Sequence, residues 1–116
     1  TGSVTMRITY GAASAMLTGD LPSSVEDYLV RLDGSTLQSE LLKAGHHGSK
    51  GSTDAMWLSA VLPSVVVISA GRGNSYGHPS PETLNRVASE GARVVQTMEK
   101  GSITFVSDGS GFRELP

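Results

Sequence analysis

The chain opens with two short runs of alternating apolar and polar residues. Apolar side chains alternate with more polar ones from Val4 to Tyr10, and an extended run resumes over residues 13–17 after the turn residue Gly11. Alternation with a period of two, interrupted by glycine, is typical of a β-hairpin. The second predicted strand leads to Asp20, which therefore lies just past a strand end.

A change to helical spacing follows the hairpin. Ser23 is followed three residues later by Glu26, which is a capping-box pattern and predicts a helix over residues 24–32. The residues expected on its buried face are Val25, Leu29 and Leu32.

Two more segments have the spacing and boundaries of helices. Ser52 or Thr53 can cap a second helix, whose apolar residues are more typical of a core than of a cofactor contact. Ser80 and Pro81 form a cap and first-turn pair for a third helix over residues 82–90. The expected buried stripe of the second helix consists of Met56, Trp57, Ala60 and Val61.

Four short apolar runs complete the pattern. Those over residues 41–44 and 65–68 separate the helices, and the second is a continuous β-branched run, as in a strand buried on both faces. Residues 94–97 and 103–106 are expected to pair as two closing strands. The order ββ-α-β-α-β-α-ββ predicts an α/β (α+β) fold, with helices packed on a mixed sheet in a single domain over residues 1–116.

Asp20 and all three histidines fall just past predicted strand ends. His46 and His47 lie in a glycine-rich loop after the third predicted strand, and His78 lies in a second such loop after the fourth. Folds of this class collect ligands and catalytic groups at strand ends. Because imidazoles and carboxylates bind divalent cations such as zinc, these four residues form a candidate ligand set.

Each of these residues also has a simpler interpretation. Thr-Gly-Asp is a common turn in which a side chain such as that of Asp20 caps a backbone amide. His46 and His47 are also consistent with an exposed polar pair, of which only one binds a metal because adjacent side chains often point in opposite directions. His78, which precedes Pro79, can simply end a loop.

Composition narrows the classes of function. The 116 residues carry a formal net charge of −2 without a basic cluster, so the electrostatic signature of a dedicated nucleic-acid binder is missing. The absence of cysteine excludes a thiolate metal site, which leaves His, Asp and Glu as possible ligands. No apolar run approaches the roughly 18–20 residues of a membrane span, and the start of the chain lacks the pattern of a signal peptide.

Several motifs together resemble a known family. They occur in the order found in the second half of the metallo-β-lactamase domain of ComEC-type DNA-internalisation (competence) proteins, and the resemblance covers nearly the whole chain. The motifs are LTGD (17–20), LKAGHHGSK (42–50), VISAG (67–71), NSYGHP (74–79) and GSI (101–103).

The resemblance implies an αββα sandwich of two similar halves, with a mono- or dinuclear zinc or manganese site at one edge. Asp20 would match the carboxylate that bridges two metals, and His46 would complete the second metal position. His47 and His78 would lie nearby as a further ligand, a proton donor to the leaving group or a phosphate contact. The residues implied on the substrate side are Ser49, Lys50, Asn74 and Tyr76.

The activity that the resemblance implies is metal-assisted hydrolysis, in which a bound water with its pKa lowered to around 7 attacks an ester. The implied substrate is the phosphodiester backbone of DNA during uptake, and a choline-phosphate or lactone ester is equally compatible. The family also implies a location on the extracytoplasmic face of the bacterial membrane.

The chain departs from the family because it lacks the His-x-His-x-Asp-His motif that supplies most ligands of the first metal. We therefore expect an incomplete and inactive C-terminal half, whose partner is the missing N-terminal half or, through the same exposed surface, a second copy. The alternative is a non-catalytic module that holds nucleic acid or a protein through Lys50, Arg72 and Asn74. A purely structural α/β domain leaves the two polar loops unexplained.

Overall fold

The computed structural model describes residues 4–74 and 77–116. Two short 3-10 turns, Gly34–Leu37 and Gly45–Gly48, accompany the regular elements. In chain order, the strands and helices are β1 (Met6–Tyr10), β2 (Ala13–Leu17), α1 (Ser23–Asp33), β3 (Leu41–Lys43), α2 (Ala55–Val61), β4 (Val65–Ile68), α3 (Pro81–Ser89), β5 (Arg93–Gln96), α4 (Thr97–Lys100), β6 (Phe105–Ser107) and β7 (Phe112–Glu114).

The first five strands form one mixed sheet in the order β1-β2-β3-β4-β5. The hairpin of β1 and β2 is antiparallel, as the alternation predicts, and each following pair is parallel. The predicted α/β class is therefore confirmed. Because β2, β3 and β4 run in the same direction, their carboxyl ends meet at one edge of the sheet, where the loops bearing Asp20 and the histidines begin.

Helices cover one face of this sheet. Met16, Leu42 and Val66 are register partners along that face and are at most 1% exposed. They pack in one cluster with side chains from α2 and α3 that are fully buried, namely Trp57, Leu58, Val61 and Val87. This cluster is the core that holds the strand ends in place.

The opposite face of the sheet is only partly covered. In β4, Val66 and Ile68 are fully buried on the helix side, whereas Val65 and Val67 are half-buried. The prediction that this strand is buried on both faces is therefore wrong, because only one layer of helices packs on it.

The predicted closing pair of strands is also wrong. The strand predicted over residues 94–97 is β5, which pairs in parallel with β4 in the main sheet. The strand predicted over residues 103–106 is β6, which pairs with β7 in a separate two-stranded sheet. The short helix α4 separates β5 from β6 along the chain, and an ion pair from Arg93 to Glu114 (3.1 Å) links the two sheets.

Helix α1 differs from its prediction in its cap and in its buried face. Pro22 occupies the N-cap position without a side-chain bond, so the predicted capping box is absent. Glu26 is instead fully buried. Val25 and Leu32 are 39% and 64% exposed, because the helix turns its carboxyl-bearing side towards α2.

The predicted N-caps of the other two helices have different outcomes. Asp54 caps α2 by accepting a hydrogen bond from the backbone N–H of Trp57, so the prediction of Ser52 or Thr53 as the cap is wrong. Trp57 is buried as predicted, but Met56 is 44% exposed. Ser80 caps α3 as predicted, and its side chain accepts the N–H of Thr83. No helix in residues 4–74 and 77–116 is long and apolar enough to cross a membrane.

Candidate functional site

Three loops meet at the carboxyl edge of the sheet. The backbone N–H of His46 donates to the carbonyl of Gly19 (2.8 Å), which joins the loop after β3 to the loop that carries Asp20. The N–H of Ser80 donates to the carbonyl of Gly48 (3.0 Å), which joins the same turn to the loop after β4. These two backbone bonds bring the loops that carry Asp20, His46 and His78 next to one another.

The His46–His47 turn has an unusual backbone. His46 (φ 48°) and His47 (φ 55°) both adopt the left-handed conformation, and Gly48 (φ 82°) continues it. This conformation costs a residue with a side chain about 1–2 kcal/mol. Strained residues of this kind persist where surrounding contacts hold them, and they concentrate at functional sites.

The turn places the three imidazoles close together. The ring centroids of His46 and His78 are 5.4 Å apart in an edge-on arrangement, and those of His46 and His47 are 6.4 Å apart. His46 and His47 are exposed, whereas His78 is half-buried. The two loops therefore present their imidazoles to one region of the surface.

His47 is anchored to the end of β4. Its Nδ1 lies 2.6 Å from the carbonyl oxygen of Ser69. Because a carbonyl oxygen only accepts, Nδ1 carries the proton of this bond, and Nε2 of the neutral ring keeps its lone pair. This is the arrangement that orients an imidazole for metal binding or proton transfer.

Asn74 organises the loop that carries His78. Its side-chain amide nitrogen donates to the carbonyls of Gly71 (2.9 Å) and His78 (2.6 Å), and its oxygen accepts the N–H of His78 (3.0 Å). Both donor hydrogens of Asn74 are thus used inside the loop. In this arrangement Asn74 positions His78 rather than offering its amide group to a ligand.

A small pocket of about 170 Å³ opens between the two histidine loops. Ser49 is half-buried next to the His46–His47 turn, and Lys50 is exposed. Tyr76, which was predicted on the substrate side, lies outside the described residues. The pocket is lined by His47, Ala70, Gly71, Asn74 and His78.

Lys43 is a charged residue near the site that the sequence analysis missed. It ends β3 on the less covered face of the sheet, opposite Leu17 in the register. Burial lowers the pKa of the Lys43 ammonium group, and the nearby carboxylate of Asp20 opposes that effect. The signal that could have identified it was a lysine at the end of an apolar strand, directly before the histidine loop.

Glu26 is a further residue whose role the sequence analysis did not find, because it was assigned to a helix cap. Its carboxyl oxygens accept the backbone N–H groups of Thr53 (2.6 Å) and Asp54 (3.0 Å). Burial raises the pKa of Glu26 to about 7 against the effect of these two bonds, and the nearby carboxylates of Asp54 and Asp27 raise it further.

The donor set is incomplete for a metal ion. Within the described parts of the chain, no three His, Asp or Glu side chains are arranged so that together they could hold one ion. Zinc sites in proteins use at least three protein ligands. The residues of this chain therefore do not by themselves fit the zinc or manganese site that the resemblance implies.

Comparison with known proteins finds relatives for most of the chain. It is 38% identical over 103 residues to "Competence protein ComA" of Neisseria gonorrhoeae, a match that covers 89% of this chain. It is 36% identical over 95 residues to "ComE operon protein 3" of Bacillus subtilis, covering 82% of this chain. The chain is similar to competence-related proteins. A third relative, "Recombination protein 2" of Haemophilus influenzae, is 36% identical over 93 residues.

These matches involve a small part of each relative. The chain spans 15% of the Neisseria protein, 12% of the Bacillus protein and 11% of the Haemophilus protein. No protein-family model matches the chain. The comparisons therefore relate this chain to one segment of much longer competence proteins.

Proposed function

We propose that this chain contributes one side of the active site of a metal-dependent phosphodiesterase that acts on DNA during its uptake. Asp20 and His46 would be ligands of a dinuclear metal centre and His78 a further ligand; the three would not bind a single ion together, and donors from outside the chain would complete each metal position. His47 is the proton-transfer group. The fold proposed for the complete domain is the two-half metallo-β-lactamase sandwich.

One observation carries this proposal. The rings of His46 and His78 come from two separate strand-end loops and lie 5.4 Å apart, while a backbone bond ties His46 to the loop of Asp20. An exposed polar pair on a surface loop would require neither the left-handed backbone nor the contact with a second loop. Such expensive local geometry is typical of a functional site.

The assignment to DNA uptake is supported by the names of the relatives. One of them is named as a competence protein, one as a protein of the ComE operon and one as a recombination protein. The reaction class is supported by the donor types: imidazoles and a carboxylate suit a hard or borderline divalent cation, which polarises a phosphate ester and supplies a nucleophilic water. The net charge of −2 is consistent with recognition through a metal rather than through a basic surface.

The proposal is tested with the longest natural chain that contains these residues, by nicking of supercoiled DNA in the presence of Mn²⁺ or Zn²⁺. Asp20→Ala and His46→Ala should each abolish nicking, because each removes a ligand. Asp33→Ala is the matched control, since this exposed carboxylate lies at the far end of α1, and it should retain full activity.

Undiminished nicking by Asp20→Ala or His46→Ala would reject the site. DNA binding without nicking, reduced by Lys50→Ala and Arg72→Ala, would instead support the non-catalytic module. Arg72 fits that alternative less well, because its Nε donates to the carbonyl of Met98 (2.9 Å) and so has a structural contact of its own.

A further inference from the structure

The segment from Gly45 to Thr53 contains three residues with side chains in the left-handed conformation. Two are His46 and His47, and the third is Thr53 (φ 58°). A β-branched residue in this region of backbone space is a clear outlier. Some contact must compensate for this strain, and at Thr53 the contact is visible.

Thr53 is held from both ends. Its backbone N–H donates to a carboxyl oxygen of Glu26 (2.6 Å), and the next N–H, of Asp54, donates to the other oxygen (3.0 Å). Its Oγ1 accepts the backbone N–H of Gly45 (3.2 Å). Glu26 and Thr53 are both fully buried, which limits the competition of water for these bonds.

Gly45 begins the His46–His47 turn, and its position is narrowly defined. A Cβ added at Gly45 would lie 3.2 Å from Oγ1 of Thr18 and 3.3 Å from both the carbonyl of Leu21 and Cβ of Ser52. Because the N–H of Gly45 is bonded to Oγ1 of Thr53, a displacement of Thr53 would disturb Gly45 and the residue that follows it, His46.

We propose that Glu26 is a positioning residue for the His46–His47 turn and acts through Thr53. A buried carboxyl group is costly, and apolar residues of similar volume often stabilise a protein more. A carboxyl group can, however, accept two adjacent backbone N–H groups at once. Glu26 is therefore suited to fix a backbone conformation and less suited to fill a core.

Two neighbouring hydrogen bonds do not replace the link from Glu26 through Thr53 to Gly45. Ser52 donates its Oγ hydrogen to the carbonyl of Leu21 (2.5 Å), and the N–H of Ser23 donates to the carbonyl of Gly51 (2.8 Å). Both hold the segment against the start of α1, but neither bonds to Gly45. Thr53 provides the direct hydrogen bond to the turn. The positioning of the turn by Glu26 does not depend on the proposed function; only the role of the turn in metal binding and proton transfer rests on it.

The test is amide hydrogen exchange and ¹H–¹⁵N NMR of the metal-free chain. Thr53→Ala removes the hydroxyl, and Thr53→Ser restores it. In Thr53→Ala, exchange at Gly45 should accelerate by about tenfold, the effect of losing one buried hydrogen bond, and the amide signals of His46 and His47 should shift. Thr53→Ser should restore the wild-type signals.

Glu26→Gln should produce the same shifts at His46 and His47, since an amide presents a donor where the second N–H needs an acceptor. Glu82→Gln, an exposed glutamate in the first turn of α3, is the control and should leave the histidine signals unchanged. If Glu26→Gln does not fold, the two Thr53 variants decide. If they do not fold either, wild-type exchange decides, because Gly45, Thr53 and Asp54 should open with equal protection.

Two results would overturn the inference. One is that the His46 and His47 signals are unchanged in folded Thr53→Ala. The other is that hydrogen-exchange protection at Gly45 in the wild type differs by more than about tenfold from that at Thr53. None of these measurements uses a metal or DNA. A failure of the proposed hydrolase function therefore leaves this test intact, and a failure here leaves the metal ligands to be tested separately.

Discussion

The buried carboxyl group of Glu26 makes the stability of the chain depend on pH. Its pKa is about 7 in the folded chain, against an ordinary value of 4.5. Because the folded chain holds this proton more tightly, Glu26 stabilises the fold fully below pH 4.5, and the contribution is lost as the pH rises through about 7. The loss amounts to about 3 kcal/mol.

Glu26→Gln cannot titrate and should lack this loss. Urea denaturation at pH 5, 6, 7 and 8 should show the wild-type free energy of unfolding falling relative to that of the variant as the pH rises. Asp27, Asp54 and Arg86 face the same region and remain in both proteins, so their contributions to stability largely cancel in the difference. Parallel pH profiles would contradict the raised pKa.

Asn74 offers a second prediction for a single side chain. Asn74→Asp keeps the oxygen that accepts the N–H of His78 but loses both bonds from the amide nitrogen, and it places a carboxylate against the carbonyls of Gly71 and His78. The expected cost is about 1–3 kcal/mol of unfolding free energy, with shifted His78 signals. Asn85→Asp, on the exposed side of α3, should change stability by less than about 0.5 kcal/mol. Equal costs would show that the loop is not held by Asn74.

For single residues, the sequence predicts which side chains lie near a candidate site better than it predicts the role of each one. Asp20 and the histidines could be selected as site candidates because they follow strand ends. Glu26 was assigned to a capping box, since the spacing from Ser23 is the same whether the carboxyl group turns back to its own helix or across to the start of α2. That choice depends on a partner 27 residues away along the chain, which local spacing does not contain.

At the scale of whole elements, the packing of one loop against another can be tested. The turn after β3 touches the loop after β4 at Gly48, where an added Cβ would lie 2.7 Å from Cβ of Pro79. Gly91 has nearly the same φ (80° against 82°), but nothing lies within 4 Å of its added Cβ. These two glycines therefore separate backbone strain from close packing.

Gly48→Ala and Gly91→Ala should both pay the left-handed backbone cost of about 1–2 kcal/mol. Gly48→Ala should cost about 1–3 kcal/mol more, because the methyl group forces the loop of Pro79 away. It should also shift the signals of His78, which Gly91→Ala should not. Thermal or urea denaturation measures the first effect and NMR the second. A similar loss in both variants would mean that the two loops do not pack as described.

The predicted elements agree best where a local signal is sufficient. The hairpin and the Ser80-Pro81 start of α3 were found from alternation and capping alone. Local signals located β5 and β6 but paired them with each other, whereas β5 pairs with β4 and β6 with β7, because alternation and turn residues do not specify which neighbouring strand is the partner.

For the whole molecule, the outer hairpin strand is the most exposed part of the sheet. All five residues of β1 are exposed, and an edge strand offers unpaired backbone groups to another chain. The apolar side chains on its outer face and on the neighbouring strand are Met6 (48% exposed), Ile8 (46%), Tyr10 (60%) and Leu17 (38%). This is the surface that we propose is covered by the remaining half of the domain or, in its absence, by a second copy.

The isolated chain should therefore self-associate at high concentration in analytical ultracentrifugation. Ile8→Lys places a charge on the apolar face and should return the chain to monomers. Thr9→Lys adds the same charge to the same strand on its other face and should leave the association unchanged. A monomeric profile for the wild type, or equal effects of both lysines, would contradict this assignment.

The most direct test of the candidate site is paramagnetic line broadening by Mn²⁺ in ¹H–¹⁵N spectra of the chain, which detects even weak binding by an incomplete site. The signals of Asp20, His46 and His78 should broaden at the lowest concentrations of Mn²⁺. His46→Ala should raise the concentration required by at least about tenfold, since even an outer-shell change costs about 10–100-fold in metal affinity. Broadening that begins elsewhere, or that His46→Ala does not alter, would contradict the account.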